Sequence, residues 1–165
     1  MKMAIPVYLW LTDDAGNSVK GLVDVKGREG SIEILELMHA VELPIDDLTG
    51  KITGTRFHGE MAFRKEIDCS SLYLYQGLTS GRNFRTAQFR YYRINYNGQE
   101  EEYFRTTLEN CRATEIESFM LDIKDPQFEK QTHQEYVSLS YEKITWHYID
   151  GNIIHNDSWK ERGAA

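Results

Sequence analysis

From Tyr141 to Trp159 the chain reads Y-E-K-I-T-W-H-Y-I-D-G-N-I-I-H-N-D-S-W. Ile144, Trp146 and Tyr148 alternate with polar residues, the period-two pattern of a strand with one buried face. Asp150-Gly151-Asn152 is turn chemistry, and the residues up to Trp159 return as a second short strand. Upstream, Val137, Leu139 and Tyr141 also alternate, but on odd numbers. The run from Tyr136 to Tyr148 therefore changes phase, and a β-bulge near Glu142-Lys143 produces that shift. A strand that bends and then folds back on itself points to a curved, mainly β architecture.

Strand-like runs continue outward at Ala113–Leu121, Glu101–Leu108 and Arg85–Asn95, with Asn97-Gly98 a hairpin signal between the last two. The best local helix is short. Asp68 caps its first turn, Leu74 and Leu78 share a face, and Gly77 and Gly81 stop it. A strand runs from Thr55 to about Glu66. At the start, Ile5 to Leu11 puts Val7, Leu9 and Leu11 on one face and Tyr8 and Trp10 on the other. The Asp13–Asn17 turn leads to a second strand from Ser18 to Val25. Ser31 to Leu43 is ambiguous: Ile34, Leu37, Met38 and Val41 fall at helical spacing, whereas Leu35, Leu37, Val41 and Leu43 alternate. The fold expected is a compact β-barrel or sandwich, one domain over residues 1–165, with one short flanking α-helix and an extended loop.

That loop is Pro44 to Gly54, which holds Pro44, Asp46, Asp47, Thr49, Gly50, Lys51 and Gly54. It reads as a long polar excursion rather than a tight hairpin, and loops of this length often carry function.

Composition removes several function classes. The formal charge is −7, from 19 Lys and Arg against 26 Asp and Glu. Without a basic run there is no nucleic-acid footprint. No apolar run reaches the length of a membrane span, and the N-terminus lacks a secretory signal pattern. Synthesis in the cytoplasm is expected, which leaves open export by a machine that reads folded protein. Cys69 and Cys111 are too few for a disulfide framework and are expected to be reduced, partly buried thiols.

Chemistry-bearing residues do not converge in the sequence. His39, His58, His133, His147 and His155 form no close ligand motif, and His58 simply follows strand alternation. Glu115 and Glu117 share one strand face and suggest a glycosidase pair, though solvated acids explain them as well. No nucleophile elbow or phosphate loop is present. Trp10, Trp146 and Trp159 suit either a sugar platform or an aromatic core and subunit seam. No catalytic, metal or cofactor residue is assigned, and no cofactor is expected. A carbohydrate-binding β-sandwich is the alternative reading.

A set of ordered blocks carries a resemblance. They are M-A-I-P-V-Y-L-W (Met3–Trp10), R-E-G-S-I-E-I (Arg28–Ile34), T-G-K-I-T-G-T-R (Thr49–Arg56), K-E-I-D (Lys65–Asp68), Y-F-R-T-T-L-E-N (Tyr103–Asn110), D-I-K-D-P (Asp122–Pro126) and the Tyr141–Trp159 stretch. Together they resemble the Hcp (haemolysin-coregulated protein) family, the tube protein of bacterial type VI secretion. Met3 gives the family-like beginning, so Met1 and Met3 are both candidate starts. Leu72, where relatives tend to carry Pro, and Gly77 depart from the pattern. The resemblance implies a long strand over Ser31–Leu43 and a homohexameric ring that stacks into a tube. It also implies a contractile sheath, a spike protein at the tip and small effector proteins in the lumen. It implies secretion through the type VI apparatus, with neither catalysis nor membrane insertion. The Pro44–Gly54 loop is then a contact to a neighbouring subunit or ring, and an end at Ala165 leaves no room for a fused toxin domain.

Overall fold

The computed structural model describes residues 5–159. In chain order the strands are β1 (Val7–Asp13), β2 (Ser18–Val19), β3 (Ile32–Ile34), β4 (Glu36–Met38), β5 (Val41–Glu42), β6 (Phe57–His58) and β7 (Met61–Glu66), followed by helix α1 (Cys69–Ser80). β8 (Phe84–Ile94), β9 (Glu100–Phe119), a 3-10 turn at Pro126–Phe128, β10 (Gln134–Ser140), β11 (Lys143–Tyr148) and β12 (Ile153–Ser158) complete it.

β9 is the spine. Its first half lies between β8 and β11, and its second half pairs with β10. The change of face comes at Asn110, a non-glycine residue at φ 53°. On β9, Leu108 is buried before that point and Cys111 and Ala113 after it. The partner chain slips at the same level, where the Glu142 amide donates to the Glu109 carbonyl between β10 and β11. The phase change read from Tyr141 and Ile144 is thus one side of a paired corner, and the runs at Glu101–Leu108 and Ala113–Leu121 are one strand.

The two halves close through residues 32–38. β3 pairs with β1, β4 pairs with β7, and between them the Leu35 amide donates to the Arg64 carbonyl at 2.8 Å. With β1–β8–β9 on one side and β9–β10–β7–β4 on the other, the sheet wraps into a barrel. Its interior holds Leu9, Leu11, Phe63, Phe89, Leu108, Leu139 and Ile144, each at most 1% exposed, with Phe63 and Phe89 edge to face at 5.6 Å.

The barrel claims Ser31–Leu43 as extended chain despite its helical spacing, but in three short pieces rather than one long strand. Ser18–Val25 keeps only Ser18–Val19 as strand. There Arg28 draws the chain inward, its guanidinium 4.0 Å from the Tyr92 ring centre and 2.5 Å from Glu100. This loop hydrogen bonds to itself, Gly30 N–H to the Val23 carbonyl, in place of a ladder. Thr55–Glu66 is likewise split, into β6 and β7.

Helix α1 is capped as the sequence indicates. Asp68 accepts from the Ser70 amide at 2.8 Å, and Ser71 Oγ accepts from the Asp68 amide at 3.1 Å. Gly81 closes it at φ 70°. Gly77 does not stop the helix: it is buried within it, and a Cβ there would sit 2.8 Å from the Phe84 ring. Leu72 is exposed, so that departure touches no packing, and Leu74 enters the core at 0% exposure.

Candidate functional site

The residues singled out from the sequence form an arm between β5 and β6. Asp46 organises its tip: its Oδ1 accepts from the amides of Leu48 and Thr49 at 2.8 and 2.9 Å, while its carbonyl accepts from Gly50 at 2.8 Å. Gly50 takes φ 70°, a left-handed value that suits glycine. The Asp46 amide donates to the Lys51 carbonyl at 2.7 Å, and the Thr53 amide to that of Pro44 at 3.0 Å. Ile45 and Ile52 pair across it. The excursion is therefore an ordered hairpin, contrary to the expectation of an open polar loop. Asp47 and Lys51 are exposed, and Gly54 lies beside the Pro44 ring. Its apolar residues face solvent too: Leu48 is 96% exposed and Ile52 65%, with Leu43 and Ile45 similar.

At the arm's root, a line of polar groups ties four segments together. His39 Nε2 lies 2.8 Å from the Tyr141 hydroxyl, which lies 2.7 Å from His58 Nδ1. His58 Nε2 meets Asp157 Oδ2 at 2.7 Å. Arg56 clamps Asp157 from the other side through Nε and Nη2, and Nη2 also donates to the Ser158 carbonyl at 2.8 Å. Trp159 stacks on His58 at 5.8 Å between ring centres. The Arg56 guanidinium, helped by His58, holds the Asp157 carboxyl down at about 2. Burial, reinforced by the charge of His58, holds His39 below its ordinary value.

Asp157, His58 and Tyr141 follow the order of a nucleophile triad, but the Tyr141 hydroxyl is buried and engaged by both His58 and His39 rather than presented to a substrate. Burial also pushes that hydroxyl well above the usual phenol range. The reading of His58 as a residue without special role is corrected here. Strand alternation gave its direction but not Tyr141 or Asp157, which lie 83 and 99 positions further along the chain.

A second cluster sits where α1 meets the barrel. Lys65 continues the inward row Met61, Phe63, and its cross-strand partner Glu135 continues Leu139, Val137. Both are 0% exposed, with Lys65 Nζ 2.8 Å from Glu135 Oε1, 3.1 Å from Asp68 Oδ1 and 3.0 Å from Ser71 Oγ. Neither was singled out from the sequence; the signal that finds them is the alternation that carries Met61 and Phe63 on to Lys65, and Leu139 and Val137 on to Glu135.

The remaining candidates stay apart. Glu115 and Glu117 are exposed on the outer face of β9. Each tryptophan has another side chain on its ring: Arg90 lies over Trp10, His155 over Trp146 and His58 over Trp159. Among the described residues no group of three or more His, Cys, Asp or Glu is placed to hold a metal ion, and no helix is long and apolar enough to cross a membrane. Cys111 is fully buried, which pushes its thiol up to about 12; Cys69 is exposed rather than partly buried.

Comparison with known proteins gives one answer. A family model described as "Type VI secretion system effector, Hcp" matches residues 8–148. The "Major exported protein" of Pseudomonas aeruginosa is 29% identical, with 99% of this chain and all of the relative aligned. Among solved structures, a mutant Hcp1 from the E. coli EAEC 042 pathovar is 51% identical with a TM-score of 0.85, covering 94% of this chain and 99% of that one. A further Hcp crystal structure is 26% identical with a TM-score of 0.88, covering 96% of this chain and all of the other.

Proposed function

Because the chain belongs to the Hcp family of type VI secretion proteins, we propose that it works by self-association, as rings that stack through the arm at residues 44–54. The chain is a secreted tube protein of that system, structural and not enzymatic. The finer reading is a closed homohexamer, stacked into a tube that a contractile sheath expels. A spike protein stands at the tip and small effector proteins ride in the lumen.

The observation that carries this reading is the arm. It is ordered by its own backbone and by Asp46, yet Leu43, Ile45, Leu48 and Ile52 face water. Apolar surface held out on a pre-formed hairpin is what a contact to another copy requires. β12 adds a second such surface. It pairs with β11 alone among the described strands, and Ile153 and Ile154 are exposed. Arg56 covers its end at Ser158, and the rest of such an edge is a hazard in a monomer and a seam in a ring.

Size exclusion with light scattering tests the ring. About six copies are expected, the number that membership of the family implies for a ring closed by one repeated heterologous contact. A monomer throughout the micromolar range contradicts it. In the source cell, loss of the sheath gene should remove the protein from the medium.

A further inference from the structure

The line from His39 to Asp157 holds together the root of the arm. His39 lies between β4 and β5, and His58 belongs to β6 and pairs with Val41 of β5. Tyr141 comes from the corner between β10 and β11, and Asp157 from β12. The Gly59 amide, donating to the Ala40 carbonyl at 2.8 Å, completes the root.

Its hydrogens can be counted. His58 Nε2 faces a carboxylate and so carries a hydrogen. With both rings neutral, His58 Nδ1 accepts from the Tyr141 hydroxyl, and the phenol oxygen accepts from His39 Nε2–H. Three hydrogens then fill three links. One added proton reverses the middle of the line without breaking it: His58 Nδ1–H donates to Tyr141, and Tyr141 O–H donates to His39 Nε2, whose own hydrogen moves to Nδ1. A second added proton has no such solution. Both rings then donate to one phenol oxygen, the buried O–H loses its acceptor, and two cations flank a single ring.

Among the described residues Asp157 is the anion that touches the line, and it already faces the Arg56 guanidinium. Trp159 covers His58, and Trp146 lies 6.5 Å from the His39 ring. We propose that the His39–Tyr141–His58–Asp157 line is a proton-sensitive latch at the root of the arm, closed with at most one added proton and opened by the second. The latch affects assembly only through the reading of the arm as an inter-subunit contact. The sign follows from His39, which burial and the His58 charge hold below the ordinary imidazole value. The neutral ring contributes its full stability above that ordinary value and loses it as pH falls below it.

Amide hydrogen exchange at Gly59, corrected for intrinsic exchange chemistry, reads the latch in the full chain. Going from about pH 7.5 to about pH 5, across the imidazole range, exchange in the wild type should rise severalfold. His39→Gln keeps a donor and an acceptor but takes no second proton, so its acid step should vanish. Tyr141→Phe removes the hub and should exchange fast at both pH values. A wild type without the acid step, or a His39→Gln variant that retains it, overturns the latch. Tube stacking is scored separately by electron microscopy. A root that loosens in acid while stacking stays unchanged upholds the latch and overturns the arm's role in assembly.

Discussion

The barrel and the arm use apolar side chains in opposite ways. Inside the barrel, the rows Met61–Phe63–Lys65 and Leu139–Val137–Glu135 face one another at 1% exposure or less, and their terminal charges pair through Glu135 Oε1, with Oε2 left without a hydrogen bond among the described residues. In the arm, Leu43, Ile45, Leu48 and Ile52 touch little of their own subunit, and the shape is set by main-chain bonds and one aspartate. The barrel's order is generated within the chain. The arm is pre-shaped, so binding through it loses little conformational entropy, and its apolar surface remains available to another copy.

Five substitutions, one of them tested in a double variant, break or sharpen that contrast. The largest effect belongs to Lys65→Met, which strands the Glu135 carboxylate in the barrel and should cost about 3–5 kcal/mol in urea unfolding. The double variant Lys65→Met with Glu135→Leu should recover much of that loss, because the fully buried carboxylate is gone and Asp68, which also loses Lys65, keeps its hydrogen bonds from Ser70. Gly77→Ala drives a methyl to 2.8 Å from the Phe84 ring and should cost about 1–3 kcal/mol, the usual range for overpacking. Asp157→Asn acts at the arm's root. The Asp157 carboxyl is held at about 2 by Arg56 and then His58, so its contribution is full above the ordinary carboxylate range and is lost as pH falls toward that value. Removing it should cost about 1–2 kcal/mol at neutral pH and flatten the acid limb of the stability curve. Leu48→Ser should change subunit stability by under about 0.5 kcal/mol, as expected at an exposed position, while weakening association in sedimentation. A large loss of subunit stability in that last variant would place the arm with the barrel and erase the contrast.

Local chemistry made part of this legible in the sequence. Asp68 capping, the Asn97-Gly98 hairpin, the terminal turn at Asp150–Asn152 and the phase slip after Tyr141 all depend on neighbours within a few residues. The structure keeps each of them: Gly98 N–H donates to the Asn95 carbonyl, and Asn152 N–H to that of Ile149. Other features depend on distant partners. Ser31–Leu43 has helical spacing, but unpaired edges on β1 and β7 draw it into two ladders. Ser18–Val25 alternates like a strand, but Arg28 turns back to Tyr92 and Glu100. Gly77 resembles a helix stop until Phe84 is seen against it. In the arm, Asp46 and Gly50, read as part of a long polar excursion, are residues that close the hairpin. His58 was least legible, since its partners Tyr141 and Asp157 come from the far end of the chain.

The central claim is that the arm joins rings and does not build them. Replacing residues 46–49 with a Gly-Ser link tests it most directly, with ring size read by light scattering and tubes by electron microscopy on the same sample. The account predicts intact rings with few or no tubes and reduced secretion, the residual stacking rising with concentration as mass action requires. Tubes of normal length with unchanged secretion, or collapse of the rings to monomers, would contradict it.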